Sequence, residues 1–160
     1  MAISSAITNT FKDELLKGGH NFNTSAQTPA GNAFKLALYT SSASMGATTT
    51  VYSTSNETTN SSGSAYIAGG KALVNNGVTG SSSATTAFVD FADLSGGTAW
   101  TSATFTTAVC LIYNTTAVSG FTTNRSVCVV SFGGDKSVSA GTFTIEFPTA
   151  STSAAIIRIS

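Results

Sequence analysis

The sequence has very few charged residues, which make up 9% of its 160 residues, whereas about 25% is usual in a soluble domain. Seven Lys and Arg balance seven Asp and Glu, so the formal net charge is zero. A chain without excess positive charge lacks the attraction that draws proteins to nucleic-acid backbones and anionic membrane surfaces. We therefore expect neither nucleic acid nor a membrane among its partners.

Long hydrophobic runs are also missing, because no stretch approaches the roughly 18 consecutive apolar residues of a transmembrane helix. The N-terminal segment MAISSAITNTFKDELL has neither a basic leader nor a continuous apolar region. It therefore predicts a chain that is made in a cytoplasm and is not exported by a signal peptide.

What the chain has instead is Ser and Thr, about a third of all residues, together with ten Phe and four Tyr. The aromatic and β-branched residues are sufficient for a core, so the composition is not that of a disordered chain. The length predicts one domain, 1–160. A nearly uncharged, hydroxyl-rich surface favours association, which fits a protein covered by copies of itself or by partners, although a secreted adhesin would have a similar composition.

One helix is predicted, over residues 3–17, from an apolar stripe with helical spacing. The stripe consists of Ile3, Ile7, Phe11 and Leu15. The helix is expected to end at Gly18-Gly19, because glycine readily adopts the left-handed conformation that terminates helices. Such a helix either packs on its own sheet or forms an arm, residues 1–19, that docks on a neighbouring subunit. Its stripe is therefore a candidate interface.

After the helix, Val, Ile, Phe, Tyr and Thr occur in short runs separated by Gly, Ser and Asn clusters, which is typical of strands. The predicted strands lie at 34–40, 65–74, 85–91, 99–107, 108–114, 125–132, 142–147 and 154–160. About eight strands joined by turn-rich segments predict a mainly β fold: an antiparallel β-sandwich or jelly roll with one N-terminal helix.

Two segments between the predicted strands are long: a Ser/Thr-rich loop at 41–64 and a shorter loop at 75–84. Loops of such length are usually functional or disordered. Val51 and Tyr52 are adjacent large apolar residues in the first loop, so we expect it to be attached there. Surface loops often carry binding residues, and we place a candidate contact with another chain on this loop.

Strands 108–114 and 125–132 predict a hairpin centred near Ser119, in which Cys110 faces Cys128. In that register both faces of the strand pair are apolar. In a sheet with one face in water, apolar and polar residues would instead alternate along each strand. The N-terminal helix, the other sheet or a neighbouring subunit must therefore cover the second face. The two cysteines are interpreted as buried thiols, because a cytoplasm is reducing.

Catalytic and metal-binding patterns are weak in this sequence. His20 has no nucleophile or base near it in the chain, and no Gly-x-Ser-x-Gly motif occurs. The carboxylates Asp90, Asp93, Asp135 and Glu146 fit turn and surface roles better than an acid–base pair. Two Cys and one His cannot complete a tetrahedral zinc site, and no acidic loop has calcium-binding spacing. We predict that the chain is not an enzyme and has no cofactor or metal.

A set of segments that together cover most of the chain carries a resemblance to known proteins: FKDELLKGGHNF, FKLALYTSSASMGATTTVY, YIAGGKAL, ATFTT, CLIYN, NRSVCVVSFGGDKSVSAGTFTIEFPT and AAIIRIS. These segments resemble a family of small structural proteins of tailed bacteriophages. The most distinctive are the helix ending in Lys-Gly-Gly-His, the Tyr-x-Ala-Gly-Gly step and the Phe-Gly-Gly-Asp turn before Thr-Phe-Thr-Ile-Glu-Phe-Pro-Thr. These are packing and turn features, and the resemblance implies a mainly β component of a virion.

Among virion roles, the compact β pattern, the helix, the 41–64 loop and the sparse charge favour a capsid decoration (cement) protein. The expected partners are the major capsid protein or other virion proteins and copies of the chain itself, with a trimer as one form. Its place would be the virion, assembled in the cytoplasm of a host bacterium. A tail, neck or baseplate structural protein and a carbohydrate-binding adhesion module of the tail are the alternatives. Trp100 lies in a strand pattern and is expected to fill the core rather than to stack on a sugar.

Overall fold

The computed structural model describes residues 3–61, 65–80 and 85–160. The predicted arm and loops extend into 1–2, 62–64 and 81–84, which lie outside the described residues. The strands are β1 (Ala6–Ile7), β2 (Phe34–Tyr39), β3 (Lys71–Leu73), β4 (Asn75–Thr79), β5 (Ala87–Phe91), β6 (Trp100–Asn114), β7 (Arg125–Phe143) and β8 (Ile157–Ile159). The helix α1 is Asn9–Leu16.

The strands form two antiparallel sheets. The larger sheet has the order β1-β7-β6-β2-β3 and the smaller has the order β4-β5-β8. These two sheets, with one α-helix near the N-terminus among the described residues, confirm the predicted fold class, a mainly β protein with a sandwich architecture.

One side of the sandwich is joined by the chain and the other is open. The edge strands β3 and β4 are separated only by Val74, so the chain passes directly from the larger sheet to the smaller one. The opposite edges are β1 in the larger sheet and β8 in the smaller. Helix α1 follows directly after β1, so an edge of each sheet and the helix come together at the open side.

The main core lies between the two sheets. Alternate residues of β2, β6 and β7 point into it from the larger sheet, and β5 and β8 contribute from the smaller, as the period of two in strands requires. Its fully buried members include Phe34, Leu36, Leu38, Trp100, Cys110, Ile112 and Val127. Trp100 is 1% exposed, which confirms that it fills the core.

A second core covers the outer face of the larger sheet. The buried residues Ala37, Tyr39, Val109, Leu111, Tyr113 and Val129 form it together with Ala43 and Met45. The prediction that both faces of the central strands are apolar is therefore confirmed. The second face is covered by the 41–64 loop of the same chain, which was not among the three expected layers.

The helix is shorter than predicted, because residues 3–8 are not helical. Ala6 and Ile7 pair with Val129 and Cys128 of β7, so edge pairing replaces the helical stripe there. Helix α1 begins after Thr8, whose hydroxyl accepts a hydrogen bond from the Phe11 N–H.

The end of the helix is as predicted. Gly18 has φ +77°, and its N–H bonds to the Leu15 carbonyl while the Gly19 N–H bonds to the Glu14 carbonyl. This pair of bonds is a Schellman motif, in which the left-handed residue closes the last turn.

Several strand boundaries differ from the prediction. The predicted strands 99–107 and 108–114 are one strand, β6. The predicted strand 65–74 is reduced to β3, because Gly69 and Gly70 have positive φ. Gly70 also approaches β2 so closely that a Cβ atom there would lie 1.8 Å from the Leu36 carbonyl oxygen.

One predicted loop contains a strand, and one predicted strand is mostly irregular. The predicted loop 75–84 contains β4, whose Asn-Asn-Gly sequence suggests a turn but forms a bulge with Gly77 at φ +85°. The predicted strand 142–147 belongs to β7 only as far as Phe143, after which Ile145 makes a single bridge to Leu94.

The β6–β7 hairpin is confirmed, but its predicted register was wrong by two residues. Cys110 lies opposite Val130, and Cys128 lies opposite Ile112. An even shift keeps each side chain on its face, so the two-sided apolar pattern is retained. A bulge between Ile112 and Tyr113 turns Val127 into the main core.

Candidate functional site

The six residues predicted as an interface separate into two groups. Ile7, Phe11 and Leu15 lie together beside β8 at the open side of the sandwich. Ile3 and Tyr52 pack against the second core on the outer face of the larger sheet, and Val51 bridges to Arg125 on β7. Phe11 is 1% exposed, so its side chain belongs mainly to the protein's own core.

We call the surface at the open side the edge groove. It has a volume of about 290 Å³ and is lined by Ile7, Phe11, Lys12, Leu15, Leu16, Ile157, Arg158 and Ile159. Leu16 is 90% exposed and Ile159 is 59% exposed. Large apolar side chains this exposed and this close together are typical of contact surfaces.

The edge groove exists because α1 ends with two consecutive leucines. Leu15 packs against the core, whereas Leu16 is on the outside of the helix. A helix that is apolar beyond its core stripe has an apolar face left over. Lys12 and Arg158 flank this face, and both side chains are exposed.

A second apolar surface, the terminal groove, lies where β7 ends. Its volume is about 520 Å³, and its apolar lining consists of Cys110, Val130, Phe132, Phe143, Ile145, Phe147, Pro148 and Ile156. Lys136 and Glu146 also line it. Phe143, Ile145 and Phe147 all pack against the main core, so their predicted alternation was correct as a face, although the segment is mostly not a strand.

The single histidine is part of a buried polar network rather than a reactive site. The His20 Nε2 lies 3.0 Å from Glu14 Oε2, and its Nδ1 lies 3.1 Å from the Asn114 amide nitrogen. Arg125 adds its guanidinium, with Nε 3.7 Å from the same Glu14 oxygen. Because Asn114 Nδ2 can only donate, Nδ1 of His20 accepts and Nε2 carries the proton. Both ring nitrogens are thus occupied by structural partners.

The buried histidine predicts that acid destabilises the protein. Burial lowers the pKa of His20 below its ordinary 6.5, with Arg125 adding to the effect and Glu14 opposing it. The unfolded chain takes up this proton at a higher pH than the folded chain, so stability falls as pH drops through 6.5. We expect urea denaturation to show a loss between about pH 7 and about pH 5.

The variant His20→Gln provides the comparison for this prediction. It should lower the stability at neutral pH, because it disturbs the network, but its stability should change less over the same pH interval. Equal pH dependence of the two proteins would contradict the assignment to His20.

All four tyrosines of the chain lie around one buried carboxylate, Glu57, in the loop over the second core. Glu57 accepts hydrogen bonds from the Tyr52 hydroxyl at 2.6 Å, the Tyr66 hydroxyl at 2.7 Å and the Gly69 N–H at 2.7 Å. Tyr113 stacks on Tyr52 with ring centroids 4.7 Å apart. Burial and the nearby Glu57 raise the pKa of Tyr113 to about 12. The cluster attaches the loop to the sheet.

The candidate acid–base carboxylates occupy separate roles. Asp93 accepts a hydrogen bond from the Phe147 N–H, and Asp135 and Glu146 are exposed. Asp90 is buried at 4% exposure. Within residues 3–61, 65–80 and 85–160, no three His, Cys, Asp or Glu side chains are grouped as a metal site.

Asp90 gives a prediction on stability. Its Oδ1 accepts the Phe91 N–H, but its buried Oδ2 has no partner among the described residues. Burial raises its pKa, so the ionised form destabilises the fold above the ordinary carboxyl pKa. Asp90→Asn should therefore stabilise the protein by on the order of 1 kcal/mol near neutral pH.

The pH dependence and a surface control test this reasoning. In urea denaturation the gain from Asp90→Asn should shrink as the pH falls towards about 4, because the folded natural protein takes up the proton at a higher pH than the unfolded chain does. Asp135→Asn, at an exposed position, should have little effect at either pH. A gain that does not depend on pH would contradict the role given to the charge.

The two cysteines are free and buried, in agreement with their interpretation as thiols. Burial raises the pKa of Cys128 to about 12 and raises that of Cys110 further. Thiols that stay protonated are poor nucleophiles and poor metal ligands. Cys110, at the floor of the terminal groove, is therefore part of an apolar lining.

The fold and the two grooves together place the chain in a structural class, that of two-sheet β proteins with apolar grooves on an almost uncharged exterior. Comparison with protein-family models, with curated proteins and with solved structures gives no match for this chain. Among the described residues, no helix has the length and apolar character needed to cross a bilayer.

Proposed function

We propose that the protein is a structural subunit of a bacteriophage virion, and that it acts as a capsid decoration protein stabilising the head through subunit interfaces. The observation that carries the proposal is the pair of apolar grooves open to solvent on a chain with 9% charged residues. Apolar surface of this kind is favoured when another chain covers it. The resemblance to small structural proteins of tailed bacteriophages is the reason for proposing a virion as the assembly to which this subunit belongs.

The terminal groove supports contact between copies of the chain. Lys136 and Glu146 both line it, and neither forms an ion pair within the part of the chain that the structure describes. A neighbouring copy can offer the opposite charge to each of them, with the apolar lining packed between. A surface that carries one cation and one anion around an apolar centre is thus complementary to itself.

Charge reversal tests this contact without disturbing the core, since both side chains are exposed. Sedimentation velocity should show the natural protein as an oligomer, and Lys136→Glu or Glu146→Lys alone should weaken its association about tenfold. The double variant should restore it, because each new charge again meets its opposite. A monomer at tens of micromolar, or no recovery in the double variant, would contradict the oligomer proposal.

Binding to purified phage heads that lack the protein tests the proposed location. A decoration protein should bind the heads in a saturable number of copies and raise their resistance to heat. Binding to tails instead would favour the tail, neck or baseplate alternative. Specific binding to glycans without binding to heads would favour an adhesion module, although the buried Trp100 offers no exposed stacking surface for a sugar.

A further inference from the structure

We propose that the edge groove binds an extended, acidic and apolar segment of a different protein, which adds to β8 as a further strand of the smaller sheet. The proposal deepens the proposed function by stating the chemistry of the partner segment, and it rests on that function only for the partner's place in a virion. Four features of the open side of the sandwich support it.

The first feature is the free edge of β8. This strand pairs with β5 through Ile157, Arg158 and Ile159, and it is the last strand in its sheet. No other described strand pairs with its outer side. An edge strand presents backbone N–H and C=O groups that another extended chain can bond.

The second feature is the direction of the groove. Consecutive side chains of a strand point to opposite faces, yet Ile157, Arg158 and Ile159 all line the edge groove. A groove lined by three consecutive residues runs along the edge of the strand and not across one face. Leu15 and Leu16 of α1 form the facing wall, so a bound strand would place its apolar side chains between the helix and β8.

The third feature is charge. Lys12 and Arg158 are the charged residues that line the edge groove. Neither forms an ion pair or side-chain hydrogen bond with any residue in the described ranges, where the ion pairs use Lys17, His20 and Arg125. Two unpaired cations beside an apolar groove select a segment that combines apolar side chains with carboxylates.

The fourth feature argues against a second copy of the chain at this edge. Two copies of β8 paired antiparallel about a twofold axis would bring Arg158 close to Arg158 of the other copy. Like charges across a strand pair are destabilising. The occupant is therefore a segment of another protein, and the copies of this chain meet elsewhere.

A designed peptide tests the proposal on the complete chain in solution. The probe is a peptide of about nine residues, within the usual length of a strand, in which Val alternates with Glu; its counterpart alternates Val with Lys. Nuclear magnetic resonance should show amide shifts at Ile157–Ile159 and along α1, with slower hydrogen exchange in β8, on addition of the Glu peptide only.

Reversing the charge of Arg158 tests whether the peptide binds in the edge groove. Arg158→Glu should weaken binding of the Glu peptide about tenfold and permit binding of the Lys peptide. The matched control, Lys136→Glu combined with Glu146→Lys in the terminal groove, should preserve the proposed contact between copies and change the binding of neither peptide. The proposal is overturned if both peptides bind equally, if neither binds, or if the shifts map outside β8 and α1. It is also overturned if the chain dimerises through β8.

These outcomes separate the inference from the proposed function. Peptide binding at β8 by a protein that does not bind phage heads would reject only the virion role. Binding to heads that Arg158→Glu leaves unchanged, with no peptide bound at β8, would reject only the edge groove as the docking site.

Discussion

Replacing Arg125 with alanine is expected to destabilise the protein by about 3–5 kcal/mol, the range found when one member of a buried charged network is removed. Arg125 is fully buried, and its guanidinium donates to the carbonyl oxygens of Thr116, Thr122 and Gly19. Removing it would leave these carbonyls without their donor and the Glu14 carboxylate without the positive charge beside it, in addition to a cavity.

The effect of Arg125→Ala should appear as a shift of the urea midpoint, with Arg158→Ala as the matched control. Arg158 is exposed, so its truncation should change stability by less than about 0.5 kcal/mol. Arg125→Lys should recover only part of the loss, because an ammonium group lacks the planar fork that reaches three carbonyls. Equal midpoints for the two alanine variants would contradict this role.

The second large effect is expected for Glu57→Ala, with a cost of about 2–4 kcal/mol. The substitution leaves the buried Tyr66 hydroxyl and the Gly69 N–H without an acceptor, and a buried unsatisfied group costs about 1–3 kcal/mol. It also releases Tyr52, which joins the loop to the sheet through Tyr113.

Hydrogen exchange distinguishes this local effect from general destabilisation. The amides of Tyr52 and Thr58, which bond to Asn124 and Leu38, should lose protection in Glu57→Ala more than amides in the main core do. Glu146→Ala, at an exposed position, serves as the matched control and should leave both amides protected. Uniform loss of protection across the chain would contradict the role of Glu57 as the attachment of the loop.

The elements that could be predicted were those with a strong local signal. Alternation in 34–40 located β2, and the glycine after Lys17 located the end of α1, because both follow from backbone geometry. The two-sided apolar pattern of β6 and β7 correctly predicted a layer on each face of the sheet.

The elements that were missed depend on contacts far apart in the chain. Ile3 and Ile7 have helical spacing, yet β7 offers Ile7 an edge to pair with, and tertiary pairing outweighs local preference. Thr8 was a readable signal for the true start of the helix, because Thr is a preferred N-cap residue.

The burial of Arg125 and Glu57 could not be predicted from the sequence either. Arg125 opens a strand in a chain with few charges, and nothing near it in sequence shows that Gly19 and Glu14 will enclose it. Similarly, Glu57 sits among Ser, Thr and Asn, and although Tyr52 and Tyr66 lie only five and nine residues away, nothing in the sequence shows that both hydroxyls bond to it. A charged residue beside a long apolar run in such a neutral sequence is the one hint that was present.

The candidate site was partly visible from the sequence. Ile7, Phe11 and Leu15 were assigned to an interface and do line the edge groove, but Leu16 and Ile159 contribute its most exposed apolar surface. Leu16 is not part of the apolar stripe that repeats every four residues. The position of β8 beside α1 depends on the sheet topology, which the sequence pattern does not reveal.

A cryo-electron microscopy reconstruction of virions that contain this chain tests the central claim most directly. The account predicts that polypeptide from neighbouring chains covers both grooves, with a copy of this protein against the terminal groove and an extended strand of another protein along β8. A particle in which both grooves face solvent, with the chain attached through its other surfaces, would contradict the account.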